Sequence, residues 1–128
     1  MQRILLVSQP GIVRDATIAM LQSAPGLRLS GTASGALSAT QLLTDTDCDL
    51  LLVDATLPQE EMLMLLRWLR ENHPQLRCAV MTTSTDDERL ALAAGAHSTI
   101  RRACLSTERE RLWFNAGDEH RWQLPAGW

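Results

Sequence analysis

The sequence predicts an α/β fold in which helices cover both faces of a parallel sheet. Short apolar runs alternate with segments of helical periodicity five times along the chain, a pattern typical of repeated strand–helix units. The clearest apolar runs lack alternating polar residues, as expected for strands that are buried on both faces. The length of 128 residues is that of one compact domain. We therefore expect one domain over residues 1–116, followed by a tail or the start of a linker over residues 117–128.

The first two strand–helix units are recognised by their apolar spacing. Residues Ile4–Val7 form the first predicted strand. The helix that follows carries one apolar stripe, made of Val13, Ala16, Met20, Leu21 and Ala24. Pro25-Gly26 ends this helix, and a weaker strand is predicted over 27–33. Gly35 opens the second helix, whose apolar positions are Ala36, Leu37, Ala39 and Leu43.

The third unit contains the strongest strand signal in the chain. Leu50–Val53 is a continuous apolar run that ends on Asp54. The third helix has its apolar residues at Met62, Leu65, Leu66 and Leu69. His73-Pro74 marks the end of that helix.

The last two units follow the same alternation. The fourth strand is predicted over Cys78–Thr82, and Asp86 is the expected N-cap of the fourth helix. Gly95 is the expected C-cap of that helix. His97–Ile100 then forms a short fifth strand, and a fifth helix is predicted from Thr107 to about residue 116.

The composition excludes several classes of function. The net charge is −3, and the twelve cations, all of them arginine, are scattered rather than gathered into the basic stripe of a nucleic-acid surface. The three cysteines and three histidines lack the spacing of metal ligands. No apolar run approaches the roughly 18–20 residues of a membrane span, and the start of the chain leaves no room for a signal peptide. We expect a cytoplasmic protein that holds no metal and contacts neither membrane nor nucleic acid through this chain.

Five such units suit a flavodoxin-like doubly wound sheet with strand order 2-1-3-4-5. In this arrangement ligands sit at the carboxyl ends of the strands. Polar residues at those ends are Ser8-Gln9, Asp54, Thr82-Thr83 and Arg101-Arg102. The sequence therefore places the candidate functional site at this edge of the sheet.

These strand ends and their flanking segments resemble the receiver domains of two-component response regulators. The chain is most similar to the NarL/LuxR subgroup of DNA-binding regulators over roughly residues 2–104. The segments that carry the resemblance are ILLVSQPGIVRDATIAML, PGLRLSGTASG, DLLLVDATLP, LRWLRENHPQLRCAVMTTSTDD and LALAAGAHSTIRR. Each segment is weakly informative alone, but their order along the chain is specific to the family.

The resemblance implies two retained residues. In receivers, the aspartate that ends the third strand accepts a phosphoryl group, and a Thr or Ser after the fourth strand contacts that group. Asp54 occupies the first position and Thr83 the second. Asp54 is thus a vestigial or working phosphoacceptor, and Thr83 belongs to the expected pocket around it.

The resemblance also exposes four departures. The acidic pair that helps receivers hold Mg²⁺ is replaced by Ser8 and Gln9. Arg102 replaces the lysine after the fifth strand, and Thr99 replaces the aromatic residue at the switch position. With Asp54 as the only anionic ligand, we expect Mg²⁺ binding to be weak or absent, because this hard cation prefers several carboxylate and water oxygens. No other cofactor is implied.

Arginine at position 102 suggests a specific resting contact. A guanidinium can hold a carboxylate through two parallel hydrogen bonds, which lysine cannot do. We hypothesise that Arg102 pairs with Asp54 and keeps the site in one state without phosphate. The sequence leaves other roles open: Asp54 as a solvated carboxylate, Thr83 as a loop hydroxyl, Arg102 on the surface beside Arg101, and Ser8 with Gln9 as hydrogen-bond partners of nearby loops.

The favoured function is a non-catalytic, phosphorylation-independent signalling module. It would act through protein contacts that include a homodimer, and through any DNA-binding domain that follows it in a LuxR-type regulator. We assign no catalytic residue, because the retained groups form no acid–base or nucleophile–base pair. Two alternatives remain: a working receiver phosphorylated on Asp54 by a histidine kinase, and a small-ligand site in the pocket of Ser8, Gln9, Asp54, Thr83 and Arg102.

Overall fold

A computed structural model describes residues 2–102, which form a five-stranded parallel sheet in the order β2-β1-β3-β4-β5. This confirms the predicted fold class and strand order. The strands are β1 (Gln2–Val7), β2 (Leu27–Ala33), β3 (Leu50–Asp54), β4 (Arg77–Thr82) and β5 (Ser98–Arg101). The helices are α1 (Ile12–Gln22), α2 (Ala36–Asp45), α3 (Gln59–Asn72) and α4 (Thr85–Ala94). The predicted fifth helix and the tail from residue 117 lie outside the described residues.

The central strand β3 is buried over its whole length. It pairs with β1 on one side and β4 on the other, with Val53 opposite Val7 and Asp54 opposite Met81. Alternate residues of the strands enter two separate apolar clusters, one on each face of the sheet. The continuous apolar runs of the sequence therefore arise because both faces are covered.

Helix α3 buries the apolar stripe predicted for it, namely Met62, Leu65, Leu66 and Leu69. Helix α1 differs from the prediction. It buries Thr17 and Leu21, whereas Val13 is 39% exposed and Ala16 is also exposed. Thr17 can be buried because its hydroxyl donates to the Val13 carbonyl at 2.9 Å, which satisfies the polar group.

Helix α2 also departs from the predicted pattern. It begins after Gly35 as expected, and Ala39 and Leu43 are buried. Leu37, however, is 72% exposed. An apolar residue on the solvent side of a helix is common, because polar side chains cannot cover all of a protein surface.

The ends of α4 show one correction and one confirmation. The N-cap is Ser84 and not Asp86, because the Ser84 hydroxyl accepts the Asp87 backbone N–H at 3.1 Å. Asp86 lies instead in the acidic first turn, where carboxylates favour the helix dipole. Gly95 is the C-cap, with a φ of 114° that favours glycine. Strand β5 begins and ends one residue later than predicted, so Arg101 belongs to the sheet.

No helix within residues 2–102 is long and apolar enough to cross a membrane.

Candidate functional site at the carboxyl edge of the sheet

The parallel strands bring three polar side chains together at their carboxyl ends. Ser8 directly follows β1, Asp54 is the last residue of β3, and Arg102 directly follows β5. Ser8 and Asp54 are buried, with 1% and 0% of their surfaces exposed. The site is therefore a buried carboxylate flanked by a hydroxyl and a guanidinium.

Both carboxylate oxygens of Asp54 accept hydrogen bonds. Oδ2 accepts from the Ser8 hydroxyl at 3.1 Å. Oδ1 accepts from the backbone N–H of Thr56 at 3.1 Å and from Nη2 of Arg102, which also forms an ion pair with it. A buried carboxylate is costly without such partners, so these contacts hold Asp54 in one orientation.

The Arg102 side chain points toward Asp54, but it donates one hydrogen bond and not the two parallel bonds predicted. One nitrogen, Nη2, contacts Asp54, while Nε is buried and has no hydrogen-bond partner among the described residues. The neighbouring Arg101 points away from Asp54 and binds α4, pairing with Glu88 and donating to the Thr85 hydroxyl at 3.0 Å. The two consecutive arginines thus connect β5 to two different places, the buried carboxylate and the first turn of α4.

The other residues predicted for this pocket do not join the Asp54 cluster. The Thr83 side chain is exposed and its hydroxyl donates to the Asp87 carboxylate at 3.4 Å. Gln9 is exposed, and the structure records only its carbonyl oxygen 3.5 Å from the Ser8 hydroxyl. Thr99, at the position expected to carry a switch aromatic, is buried within β5 with 4% of its surface exposed.

The sequence interpretation missed one residue that contacts Asp54, and it did not foresee the surroundings of Thr82. Thr56 contributes its backbone N–H to Asp54, in the local turn that an aspartate forms with the residue two positions ahead. Asp54-Ala55-Thr56 before Leu57-Pro58 was a usable signal for that turn. Thr82 is fully buried, and its Oγ1 has no partner among the described residues. Strand periodicity could place Thr82 in the core but could not show an unsatisfied hydroxyl.

The residues around Asp54 do not suit the Mg²⁺ that the receiver resemblance implies. The groups that contact the carboxylate are a hydroxyl, a backbone N–H and a guanidinium, and none of them is a second anion. Within the part of the chain that the structure describes, no group of three or more His, Cys, Asp or Glu side chains is arranged to hold a metal ion. A cation at this position would have to displace the positive charge of Arg102.

A flavodoxin-like sheet whose central strand ends in an aspartate is the arrangement that the resemblance to receiver domains predicts. The sequence model of the response regulator receiver domain family matches residues 4–108. This chain therefore belongs to the response regulator receiver family, whose members act in two-component signal transduction.

Two curated relatives match most of this chain. The DNA-binding transcriptional activator DevR/DosR of Mycobacterium tuberculosis is 31% identical over 102 residues, covering 78% of this chain and 47% of that protein. A protein-glutamate methylesterase/protein-glutamine glutaminase of Anaeromyxobacter dehalogenans is 29% identical over 110 residues, covering 84% of this chain and 30% of that protein. The chain thus spans less than half the length of either relative.

Solved structures agree on the fold. A LuxR-family response regulator from Aurantimonas is 25% identical with a TM-score of 0.76, and the match covers 88% of this chain and 84% of that one. The isolated receiver domain of RcsB from Salmonella enterica has a TM-score of 0.80 at 12% identity, covering 93% of this chain and 90% of that chain.

Proposed function

We propose that this receiver domain works as a phosphorylation-independent signalling and protein-interaction module. The observation that carries the proposal is the state of Asp54, which is buried and has both carboxylate oxygens occupied by Ser8, Thr56 and Arg102. The negative charge of this carboxylate is already compensated by Arg102, and its hydrogen bonds fix its orientation. The resting structure therefore needs no phosphoryl group to organise this edge of the sheet.

The charge balance of the site supports the same proposal. Phosphoryl transfer to a carboxylate brings two anions together, so metal ions and fixed cations supply most of the stabilisation. The only cation that contacts Asp54 among residues 2–102 is Arg102, and it is engaged by the carboxylate itself. The Thr83 hydroxyl, which would contact an incoming phosphoryl group, is engaged by Asp87.

The competing function is a working phosphoacceptor served by a histidine kinase. One observation favours it: Asp54 ends β3 at the acceptor position and has a guanidinium within contact. Arginine can stabilise charge that develops during phosphoryl transfer. This alternative requires that Arg102 and Ser8 release the carboxylate, and that another group supplies the missing metal ligands.

The proposed partners are other protein surfaces, including a second copy of this chain. DevR/DosR is described as a DNA-binding transcriptional activator, and it extends well beyond the region that this chain matches. By analogy, DNA contact in the whole protein would come through a following domain, with this receiver setting the geometry of a dimer. The scattered arginines of the chain offer no basic stripe of their own.

A titration with Mg²⁺ and beryllofluoride, a phosphoryl mimic, tests the proposal. Amide NMR spectra of the wild-type chain should remain unchanged, because Asp54 has no free oxygen and no companion carboxylate. A variant with Ser8→Asp, Gln9→Asp and Arg102→Lys restores the acidic pair and the lysine of the family and should show saturable shifts near positions 54, 83 and 102.

The matched control adds Asp54→Ala to the restored variant and should abolish those shifts. Saturable shifts in the wild-type chain that vanish on Asp54→Ala would instead establish the phosphoacceptor function.

A further inference from the structure

A cavity of about 360 Å³ lies at the amino-terminal edge of the sheet, opposite the Asp54 edge. Its walls are the end of α3, the loop into β4 and the turn between α4 and β5. The apolar part of the lining includes Leu66, Leu69, Leu76 and Leu92. This volume falls in the range of roughly 300–1,000 Å³ that small-molecule sites occupy.

The charged side chain that lines this cavity is a cation. Among the described residues, the ionisable groups in its lining are Arg70, His73, Cys78 and His97, and none of these is a carboxylate. The side chain of Arg70 makes no hydrogen bond or ion pair with any other residue between 2 and 102. Burial of Cys78 raises the pKa of its thiol to about 12, so this group stays neutral and adds no negative charge. The cavity therefore combines an apolar floor with an unpaired guanidinium.

The absence of a side chain at Gly95 leaves space for Arg70. A Cβ atom at Gly95 would stand 2.1 Å from Cδ of Arg70, so the arginine side chain crosses directly over the glycine backbone. Gly95 also has the left-handed φ of 114°, which disfavours any residue with a Cβ. The turn after α4 thus makes room for Arg70 beside the cavity, and the charge of Arg70 reaches His97.

His97 adds a directed donor to this cation. Its Nδ1 accepts the backbone N–H of Cys78 at 3.1 Å, and the backbone N–H of His97 donates to the Cys78 carbonyl at 2.9 Å. In the neutral imidazole an accepting Nδ1 leaves the proton on Nε2. His97 therefore offers Nε2–H as a hydrogen-bond donor in the lining that also contains Arg70.

We infer that this cavity is a binding site for a small organic anion with an apolar body. The apolar body lies among the four leucines, and the carboxylate is held by Arg70 with a hydrogen bond from His97. An inorganic anion lacks the group that fills the apolar part. A cationic ligand of the same shape is repelled by the positive charge of Arg70. The site is separate from Asp54, so it stands whether or not Asp54 is ever phosphorylated.

Octanoate is a suitable probe, because it joins one carboxylate to a short apolar chain. Added to the full chain up to about 10 mM, within the affinity range of such a small ligand, it should produce saturable amide shifts at Cys78, Gly95 and His97. Octylamine, of the same length but opposite charge, and inorganic phosphate, which has no apolar body, should leave these signals unchanged. Equal shifts with octylamine, or no saturation with octanoate, would overturn the inference.

Two arginine variants on α3 distinguish binding in this cavity from nonspecific attraction of octanoate to surface arginines. Arg70→Gln should weaken octanoate binding about tenfold or more, since a hydrogen bond to a charged group is lost. Arg67→Gln, one turn earlier on α3 and outside this lining, should bind as the wild type does.

Leu92→Asp is a second variant. Leu92 is 40% exposed, so the fold should tolerate a carboxylate that repels the probe from the cavity. Wild-type affinity in both Arg70→Gln and Leu92→Asp would contradict the site.

Discussion

Two arginine–aspartate pairs stand at opposite ends of β3 and differ chiefly in burial. Asp49 precedes the strand and pairs with Arg3 at 3.3 Å, with the two side chains 33% and 43% exposed. Asp54 ends the strand and pairs with Arg102, with the side chains 0% and 26% exposed. Arg3 lies within β1, and Arg102 directly follows β5. The chemistry is the same, yet the two pairs have different consequences for the protein.

Solvent explains the contrast. An exposed pair exchanges water contacts for a weak attraction in a medium of high dielectric constant, so it contributes little. A buried carboxylate has lost its water, and removal of its cation leaves an uncompensated charge. The Asp54 pair therefore constrains the site, whereas the Asp49 pair is an ordinary surface contact.

Loss of Arg102 should have the largest effect. Arg102→Met leaves Asp54 buried with only Ser8 and Thr56 as partners, and we expect the free energy of unfolding to fall by about 3 kcal/mol. Urea denaturation at pH 7 measures it. Replacement of both partners, Asp54→Asn with Arg102→Met, should recover part of the loss.

Arg101→Met is the matched control, because this side chain is 42% exposed and its loss should cost about 1 kcal/mol or less. Equal costs for the two arginines would contradict the distinction between the buried and exposed pairs.

A smaller effect is expected from His97, near the amino end of the sheet. Burial, together with the charges of Arg77 and Arg70, lowers the pKa of His97 below its ordinary 6.5. The unfolded chain thus binds this proton more readily, so the contribution of neutral His97 to stability is present above pH 6.5. It is lost as the pH falls from 6.5 through the lowered pKa.

Urea midpoints measured between about pH 5 and 8 check this dependence against His97→Asn. The variant should show a shallower decline in stability toward acid pH, because the other histidines contribute equally to both proteins. An unchanged slope would show that His97 is not the group responsible.

The smallest effect is expected at the exposed pair. Arg3→Met should change stability little at pH 7, and added salt should reduce the difference further. Burial alone would raise the pKa of Asp49, but the hydrogen bonds and charge of Arg3 lower it below its ordinary 3.8. The contribution of the pair is therefore present above pH 3.8 and is lost as the pH falls through the lowered pKa. Urea midpoints at low and high salt measure it, and a loss as large as that of Arg102→Met would contradict the comparison.

The sheet was predictable because its strands are buried on both faces. Runs such as Leu50–Val53 have no polar alternation, and the chain order of such units limits the topology. Helix faces were harder to predict. The stripe through Val13 and Ala16 has helical spacing, yet α1 turns Thr17 to the core, because a threonine that bonds its own helix backbone can be buried.

The site was predictable in its residues more than in its contacts. Position along β3 identifies Asp54, and the strand ends identify Ser8 and Arg102 as its neighbours. Spacing cannot show which way a side chain turns in a loop. Thr83 binds Asp87 in the first turn of α4, and Thr56 contacts Asp54 through its backbone rather than its side chain. The Thr83 contact depends on loop geometry that residue types do not specify, whereas the turn at Asp54-Ala55-Thr56 had a signal in the sequence.

The most direct test of the central claim is incubation of the purified chain with Mg²⁺ and acetyl phosphate, a small phosphoryl donor, followed by intact-mass spectrometry. A receiver held by Arg102 and Ser8 should remain unmodified, while the variant with Ser8→Asp, Gln9→Asp and Arg102→Lys gains one phosphoryl group. A wild-type chain that gains a phosphoryl group, and loses this ability on Asp54→Ala, would show that the buried pair opens and that the domain is a working phosphoacceptor.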